Sequence, residues 1–264
     1  MKKRFGQHFL SDRNILQRIV RLAAISPEDT VVEIGPGSGA LTRELAAAAK
    51  RVIAIEIDRD LVPRLRSTMP GNVEIVEGDA LEIELPHNTH LVGNLPYNIS
   101  TPLLKKFIAA REHILDVTVM LQKEVAERIR AKAGSEDYGP LSVLIQYYAT
   151  PVWGFTVPPG AFTPKPKVDS AVIRLEWKPG VAGNNAFTDF VHHAFGSRRK
   201  KLLNNLVSIF PGKTREELAS TLERSGVSRD ARAETLSVEQ FLGVYNQIHE
   251  RLRIQARQGA DRNQ

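Results

Sequence analysis

The chain has 264 residues, enough for one large and one smaller domain, and a net charge of +6 that is a weak pointer to nucleic acid. It contains no cysteine, which excludes disulfides and thiolate metal sites and fits a reducing cytoplasm. No apolar run is long enough to span a bilayer and the N-terminus lacks a signal-peptide core, so we expect a soluble cytoplasmic protein without a membrane partner.

The first residues join a basic cluster to aromatic and amide side chains, from Lys2 to Leu10. Ser11 or Asp12 then provides an N-cap for a helix whose apolar positions run from Ile15 to Leu22. The segment before the helix is either an ordered flap or a frayed basic tail.

A glycine-rich loop follows the first predicted strand, Thr30 to Ile34, and precedes a predicted helix over residues 41–49. Gly35, Gly37 and Ala40 satisfy the dinucleotide-binding pattern, so a nicotinamide dehydrogenase is one interpretation.

Two neighbouring residues favour another cofactor. Pro36 removes a backbone N–H from the loop that would cradle a pyrophosphate. Glu33 places an anionic side chain where phosphates would lie. Both suit a cofactor with a cationic end, such as S-adenosylmethionine.

Acidic residues follow the next two strands. The strand over residues 51–57 ends at Glu56, about 20 residues after the first glycine, at the spacing of a ribose-binding acid. The strand over residues 73–76 is followed by Asp79, which can accept a hydrogen bond from an adenine amino group. The carboxyl ends of parallel strands share one sheet edge, so these groups are expected to meet there.

The fourth strand, Leu91 to Gly93, runs into Asn94-Leu95-Pro96-Tyr97. An amide that accepts and donates, a proline that fixes the turn and an aromatic ring suit the edge and face of a planar base. An ordinary turn is the alternative.

The remainder predicts a fifth strand, a hairpin and a helical region. The strand covers residues 117–121, and residues 152–155 pair with 170–175 around a proline-rich loop. Beyond a linker at residues 183–185, helical spacing recurs over residues 187–195, 200–209, 215–225 and 238–254. His192 and His193 lack partners at ligand spacing, so no metal site is expected.

Seven segments form a colinear series over nearly the whole chain: Phe5–Leu10, Glu33–Gly39, Gly78–Ala80, Asn94–Ser100, Met120–Val125, Tyr138–Val143 and Val157–Ser170. Together they resemble the ribosomal RNA adenine dimethyltransferase family, and within it the bacterial enzymes that methylate two adjacent adenosines near the 3′ end of 16S rRNA. His8 departs from the pattern, since Asn is more frequent in the family at this position.

The resemblance implies an α/β, Rossmann-like class I methyltransferase fold, with a mostly parallel sheet, a terminal antiparallel hairpin and a small C-terminal all-helical domain. We expect an S-adenosylmethionine-binding catalytic domain with an N-terminal flap at 1–179, a helical rRNA-binding domain at 184–254 and a disordered tail at 255–264.

It also implies residue roles. Asn94 and Leu95 would accept hydrogen bonds from the N–H groups of the target amine. Tyr97 and Phe162 would stack on the two faces of a flipped adenine. The cofactor would be held by Gln7, His8, Leu10, Gly35, Gly37, Glu56, Asp79, Ala80 and Asn94. Contacts to rRNA would come from Arg198, Arg199, Lys200 and Lys201. The expected partner is 16S rRNA within the 30S subunit, bound by a monomer.

Two alternatives remain beside the dehydrogenase. One is the related 23S rRNA adenine methyltransferase of macrolide resistance, which shares the Asn94–Tyr97 motif. The other is a 30S assembly factor that needs no catalysis.

Overall fold

The structure, a computed structural model, describes residues 8–197 and 200–261, with side chains to residue 249. The chain divides into two units. The first runs to Glu127 and resumes over Tyr148–Gly180, and the second comprises Arg128–Tyr147 and the residues from Val181 onward.

The strands of the described chain all lie in the first unit. They are β1 (Phe9–Leu10), β2 (Thr30–Ile34), β3 (Arg51–Glu56), β4 (Val73–Glu77), β5 (Thr89–Asn94), β6 (Ile114–Gln122), β7 (Ala149–Val157), β8 (Phe162–Thr163) and β9 (Ser170–Trp177). β1 and β8 form a separate antiparallel ribbon, in which Leu10 is opposite Phe162.

The other seven strands form one sheet in the order β4-β3-β2-β5-β6-β9-β7. The first five are parallel, whereas β9 is antiparallel to both β6 and β7. The predicted mostly parallel sheet with an antiparallel hairpin is therefore confirmed. Its central strands are near-continuous apolar runs because both faces are covered; Val31 and Val32 of β2 are fully buried.

The helices are α1 (Arg13–Ala23), α2 (Ala40–Ala48), α3 (Val62–Thr68), α4 (Ser100–Ala109), α5 (Lys123–Arg130), α6 (Pro140–Tyr148), α7 (Asn185–Ala194), α8 (Leu202–Ile209), α9 (Arg215–Arg224) and α10 (Val238–Asp261). Asp12 is the N-cap of α1, where its carboxylate accepts the N–H groups of Asn14 and Ile15. Helices α3 to α6 were not predicted.

The second unit has an aromatic core. Phe187 packs edge-on against Tyr245 with ring centroids 5.4 Å apart, and Phe195 stacks on Phe241 at 5.5 Å. The Asn184 side chain accepts the Phe187 N–H at 2.8 Å and the Tyr245 hydroxyl at 3.0 Å, which fixes the start of α7.

This unit also includes α6, which the sequence placed in the catalytic domain. The ring of Tyr147 lies 4.5 Å from that of Phe187, and the Gly134 N–H donates to the Glu234 carbonyl at 2.7 Å. These contacts join distant sequence segments, so helical periodicity does not reveal them.

The last helix continues to Asp261, through most of the segment where we expected a disordered tail from residue 255. Residues 251–258 consist of good helix formers without proline, so local propensity is sufficient to extend the helix. Within the described ranges, no helix has both the length and the apolar character needed to cross a membrane.

Candidate active site

A cavity opens at the carboxyl ends of β2, β3, β4 and β5. Its walls contain the glycine loop, the ends of β3 and β4, and the turn after β5, with β1 as a further wall. The structure brings together ten residues to which the sequence assigned a catalytic or cofactor-binding role: His8, Leu10, Gly35, Gly37, Glu56, Asp79, Ala80, Asn94, Leu95 and Tyr97. Gln7 lies outside the described residues.

The glycine loop comes close to β1. Gly37 has a φ of +56°, which disfavours any side chain, and a Cβ there would lie 2.7 Å from the Phe9 ring. The Gly35 N–H donates to the Ile55 carbonyl at 3.0 Å. The first turn after β2 is thus pinned to β3 on one side and covered by Phe9 on the other.

Glu56 is buried at the end of β3. Its Oε2 accepts the Gly37 N–H at 3.0 Å and its Oε1 accepts the Asp58 N–H at 2.8 Å. Burial raises the pKa of the Glu56 carboxyl, while these backbone N–H groups oppose that rise. Each carboxylate oxygen retains a lone pair, so the side chain can still accept ribose hydroxyls.

Glu33 is the most deeply buried acid of the cavity wall, with 1% of its surface exposed. No described residue donates a hydrogen bond to its Oε2. Burial raises the pKa of this carboxyl to about 8; the nearby Thr42 hydroxyl opposes the rise, and repulsion from Glu56 adds to it.

The β4 end provides Asp79, whose Oδ1 accepts the Leu81 N–H at 2.8 Å. The cavity wall also contains a residue that sequence reasoning missed, Ile57, which is 41% exposed. In the sequence, an isoleucine between Glu56 and Asp58, just beyond a strand end, is the signal that could have indicated an exposed apolar surface suited to a planar ring.

The turn after β5 is held by several contacts. Asn94 Nδ2 donates to the His8 carbonyl at 2.8 Å, and because a carbonyl can only accept, this bond fixes the amide orientation. No described residue bonds to Asn94 Oδ1. The Leu95 N–H donates to the Met120 carbonyl at 2.9 Å.

Tyr97 is half-buried and its hydroxyl lies 2.6 Å from Ser170 Oγ at the start of β9. The His8 ring lies 5.5 Å from the Tyr97 ring, and His8 Nδ1 donates to the Pro164 carbonyl at 2.8 Å. The residue preceding β1, His8, therefore contacts both the Asn94–Tyr97 turn and the loop after β8.

The expected pairing of Phe162 with Tyr97 across a base is not found. Phe162 is 2% exposed and packs in the hydrophobic core with Leu10, Leu16 and Ile19. Its ring belongs to no wall of the cavity among the described residues. A large apolar side chain opposite Leu10 in the β1–β8 ribbon is stabilised by about 2 kcal/mol or more when it joins that core, which accounts for its position.

Only part of the predicted rRNA-contacting run can be described. Arg198 and Arg199 lie outside the described residues. Lys200 is exposed, whereas Lys201 Nζ forms an ion pair with Asp230 at 2.6 Å. The hydrogen bond from Lys201 lowers the pKa of Asp230.

Comparisons with known proteins match the sequence over almost all of its length. The family described as Ribosomal RNA adenine dimethylase matches residues 1–250. Ribosomal RNA small subunit methyltransferase A from Pelotomaculum thermopropionicum is 41% identical over 92% of this chain and 90% of its own. The protein of the same name from Geobacillus sp. is 42% identical, with coverages of 94% and 91%.

Two solved structures superpose on this chain over most of its length. A dimethyladenosine transferase from Plasmodium falciparum superposes with a TM-score of 0.80 at 28% identity, over 92% of this chain and 98% of the other. The 23S rRNA methyltransferase ErmE gives 0.72 at 30% identity, with coverages of 90% and 98%.

The comparisons identify RNA-modifying methyltransferases, and they confirm the predicted Rossmann-like methyltransferase fold, the enzyme class and its cofactor, S-adenosylmethionine. The dehydrogenase interpretation is not retained. The chain belongs to the ribosomal RNA adenine dimethylase family.

Proposed function

We propose that this protein transfers methyl groups from S-adenosylmethionine to the N6 amines of two adjacent adenosines near the 3′ end of 16S rRNA. It acts on the 30S subunit, as a monomer in the cytoplasm. The relatives named small subunit methyltransferase A, 41% and 42% identical over nearly full length, support the small-subunit substrate.

The observation that carries the chemistry is the fixed amide of Asn94. Its Nδ2 is committed to the His8 carbonyl, so Oδ1 is the atom left to accept a hydrogen bond in the cavity. An amine donates and an oxygen accepts, so this orientation matches the exocyclic amine of adenine.

The cavity wall fits S-adenosylmethionine by its own chemistry. Glu56 offers carboxylate lone pairs for ribose hydroxyls, Asp79 an acceptor for the adenine amino group, and Ile57 an apolar surface for the purine ring. Glu33, with its unpartnered Oε2, suits the cationic methionine end. When bound, the cofactor supplies an electrophilic methyl group on a positively charged sulfur.

The residues of the turn prepare the nucleophile. The adenine amine is weakly nucleophilic because its lone pair is delocalised into the ring. Asn94 Oδ1 and the Leu95 carbonyl accept hydrogen bonds from the two N–H groups of the amine. The nitrogen then moves toward tetrahedral geometry, and its lone pair is directed at the methyl group. The proton leaves to solvent after transfer, so no strong base is required.

Tyr97 packs against one face of the target base, since its ring lies in the cavity wall and its hydroxyl is held by Ser170. Phe162 covers the opposite face only if it leaves its buried position. The basic residues Arg198, Arg199, Lys200 and Lys201 contact the phosphates of rRNA.

One experiment separates this enzyme from a binding-only assembly factor. The Asn94→Ala variant is compared with the wild type for binding to unmethylated 30S subunits and for methyl incorporation. We expect subunit binding within about twofold of the wild type and a loss of methyl transfer of at least about 100-fold. Equal methyl incorporation by the two proteins would contradict the proposed role of Asn94.

A further inference from the structure

Lys106 of α4 does not belong to the cavity wall, yet it contacts the segment that carries Asp79. Its side chain is half-buried, and its Nζ donates a hydrogen bond to the Ile83 carbonyl in the turn after β4. The sequence assigned no role to this lysine. Its contact joins a helix to the part of the site where we place the adenine of the cofactor.

The turn that Lys106 contacts is built on Asp79. The N–H groups of Glu82 and Ile83 donate to the Asp79 carbonyl at 2.9 and 3.0 Å. The Leu81 N–H donates to Asp79 Oδ1 at 2.8 Å. No described residue donates to Asp79 Oδ2, so this oxygen is the acceptor left for the adenine amino group. A shift of the Ile83 backbone therefore displaces Asp79 as well.

Two hydrogen bonds connect the segment 78–83 to described residues outside it. At its start the Gly78 N–H donates to the Glu56 carbonyl at 2.9 Å, and at its end the Ile83 carbonyl accepts from Lys106. The segment is compact, since a Cβ at Gly78 would lie 2.7 Å from Ile83 Cδ1. The first bond lies at the end of the pairing between β3 and β4, so the bond from Lys106 restrains the far end of the turn.

The helix α4 is a firm support for this bond. Leu103 and Phe107, on either side of Lys106 in the helix, are fully buried. The helix begins just after the Asn94–Tyr97 turn, and its Ser100 hydroxyl donates to the last carbonyl of that turn at 3.2 Å. One helix thus contacts both the turn proposed to bind the target amine and the turn proposed to bind the cofactor adenine.

The charges around Lys106 favour the same arrangement. Burial lowers the pKa of the Lys106 ammonium, and the negative charges of Asp79 and Glu82 oppose this change. The ammonium therefore attracts the acidic side chains of the turn as well as its backbone carbonyl. Both interactions draw the turn toward α4.

We propose that Lys106 is a positioning residue for the cofactor: by holding the Ile83 carbonyl on α4, it keeps Asp79 Oδ2 available to the adenine amino group. It raises the affinity for the adenine end of the cofactor and takes no part in methyl transfer itself. This inference rests on the proposed function, since it assumes S-adenosylmethionine in this cavity with its adenine at Asp79.

The test compares two ligands by isothermal titration calorimetry on the full-length protein. One is S-adenosylmethionine, and the other is its analogue with hydrogen in place of the adenine 6-amino group. Because the acceptor is charged, the wild type should prefer S-adenosylmethionine by about tenfold or more. Lys106→Met keeps most of the side-chain length and removes the ammonium. It should bind S-adenosylmethionine about tenfold more weakly and the analogue within about twofold of the wild type, so that the preference is lost.

Methyl transfer to unmethylated 30S subunits gives a second readout. In Lys106→Met the KM for S-adenosylmethionine should rise about tenfold, while kcat at saturating cofactor stays within about twofold of the wild type. The matched control is Lys105→Met, the same substitution at the exposed neighbouring residue of α4, which should keep both affinities. Lys106→Arg retains a cationic donor and should restore the preference to within about threefold of the wild type.

A Lys106→Met variant that keeps the wild-type preference would overturn the inference and leave the proposed function intact. An equal loss of affinity for both ligands would also overturn it, because a merely structural role does not distinguish them. If Lys106→Met does not fold, Lys106→Gln, which is shorter and uncharged, serves in the same comparison. Failure of the wild type to bind S-adenosylmethionine would overturn both the inference and the proposed function.

Discussion

The hydrogen bond between Tyr97 and Ser170 connects the Asn94–Tyr97 turn, the proposed base-binding segment, to β9, and its removal is the sharpest test of how the turn is positioned. The two oxygens are 2.6 Å apart and Ser170 is fully buried, so solvent does not compete for the bond. Ser170→Ala removes one partner. Tyr97→Phe removes the other and keeps the ring.

A neutral buried hydrogen bond contributes about 0.5–1.5 kcal/mol net. If the bond acts only by holding the Tyr97 ring against the base, each variant should lower kcat/KM by roughly two- to tenfold. The double variant should lose no more than either single variant, because both substitutions delete the same interaction.

The assay is steady-state methyl transfer to unmethylated 30S subunits, with unfolding curves recorded for each variant. Ser67→Ala is the matched control, because its hydroxyl donates to the Arg64 carbonyl on an exposed turn of α3. It should leave kcat/KM unchanged. Losses that add in the double variant would show that Tyr97 and Ser170 act independently, and the positioning role would be refuted.

Three further outcomes follow from the structure. Gly37→Ala should weaken cofactor binding by about tenfold or more, because a Cβ lies 2.7 Å from the Phe9 ring and φ is +56°; calorimetry measures this, and wild-type affinity would contradict it. In unfolding by urea, Asp116→Asn should cost about 1.5–3 kcal/mol, because it removes the charged acceptor of a partly buried hydrogen bond from Arg174 at 2.7 Å; a cost under about 1 kcal/mol would refute this. The hydrogen bond that His90 donates to the Asp116 carboxylate raises the pKa of His90, so the stabilisation from this pair is fully present below pH about 6.5 and is lost as pH rises through the raised value. Unfolding free energies at pH 5.5 and 8 should show this loss in the wild type and a smaller one in Asp116→Asn.

The sheet and the edge that holds the site were predictable because they rest on local signals. Buried strands such as Thr30–Ile34 read as short apolar runs, and the residue after each strand end could be assigned to one edge from the parallel topology alone. Glu56, Asp79 and Asn94 line one cavity for this reason.

Contacts between segments distant in sequence could not be predicted in this way. The pairing of His8 with Pro164 and of Leu10 with Phe162 joins residues more than 150 positions apart. The sequence placed Phe162 at the target base, whereas its apolar ring packs in the core beside Leu10. Similarly, the burial of Glu33 depends on the walls that other strands build around it.

The short helices were missed for a different reason. α3, with seven residues, gives too few turns for a helical period to emerge, and α6 is apolar on most sides. α6 also clusters with the C-terminal helices through the contact of Tyr147 with Phe187, a tertiary interaction without a sequence signature.

The most direct test of the proposed function is methyl transfer from labelled S-adenosylmethionine to unmethylated 30S and 50S subunits, followed by nucleoside analysis of each rRNA. We predict N6,N6-dimethyladenosine in 16S rRNA alone, at two adjacent positions near the 3′ end. Label in 23S rRNA would contradict this and indicate the resistance-type enzyme. Tight 30S binding without label would leave only an assembly factor.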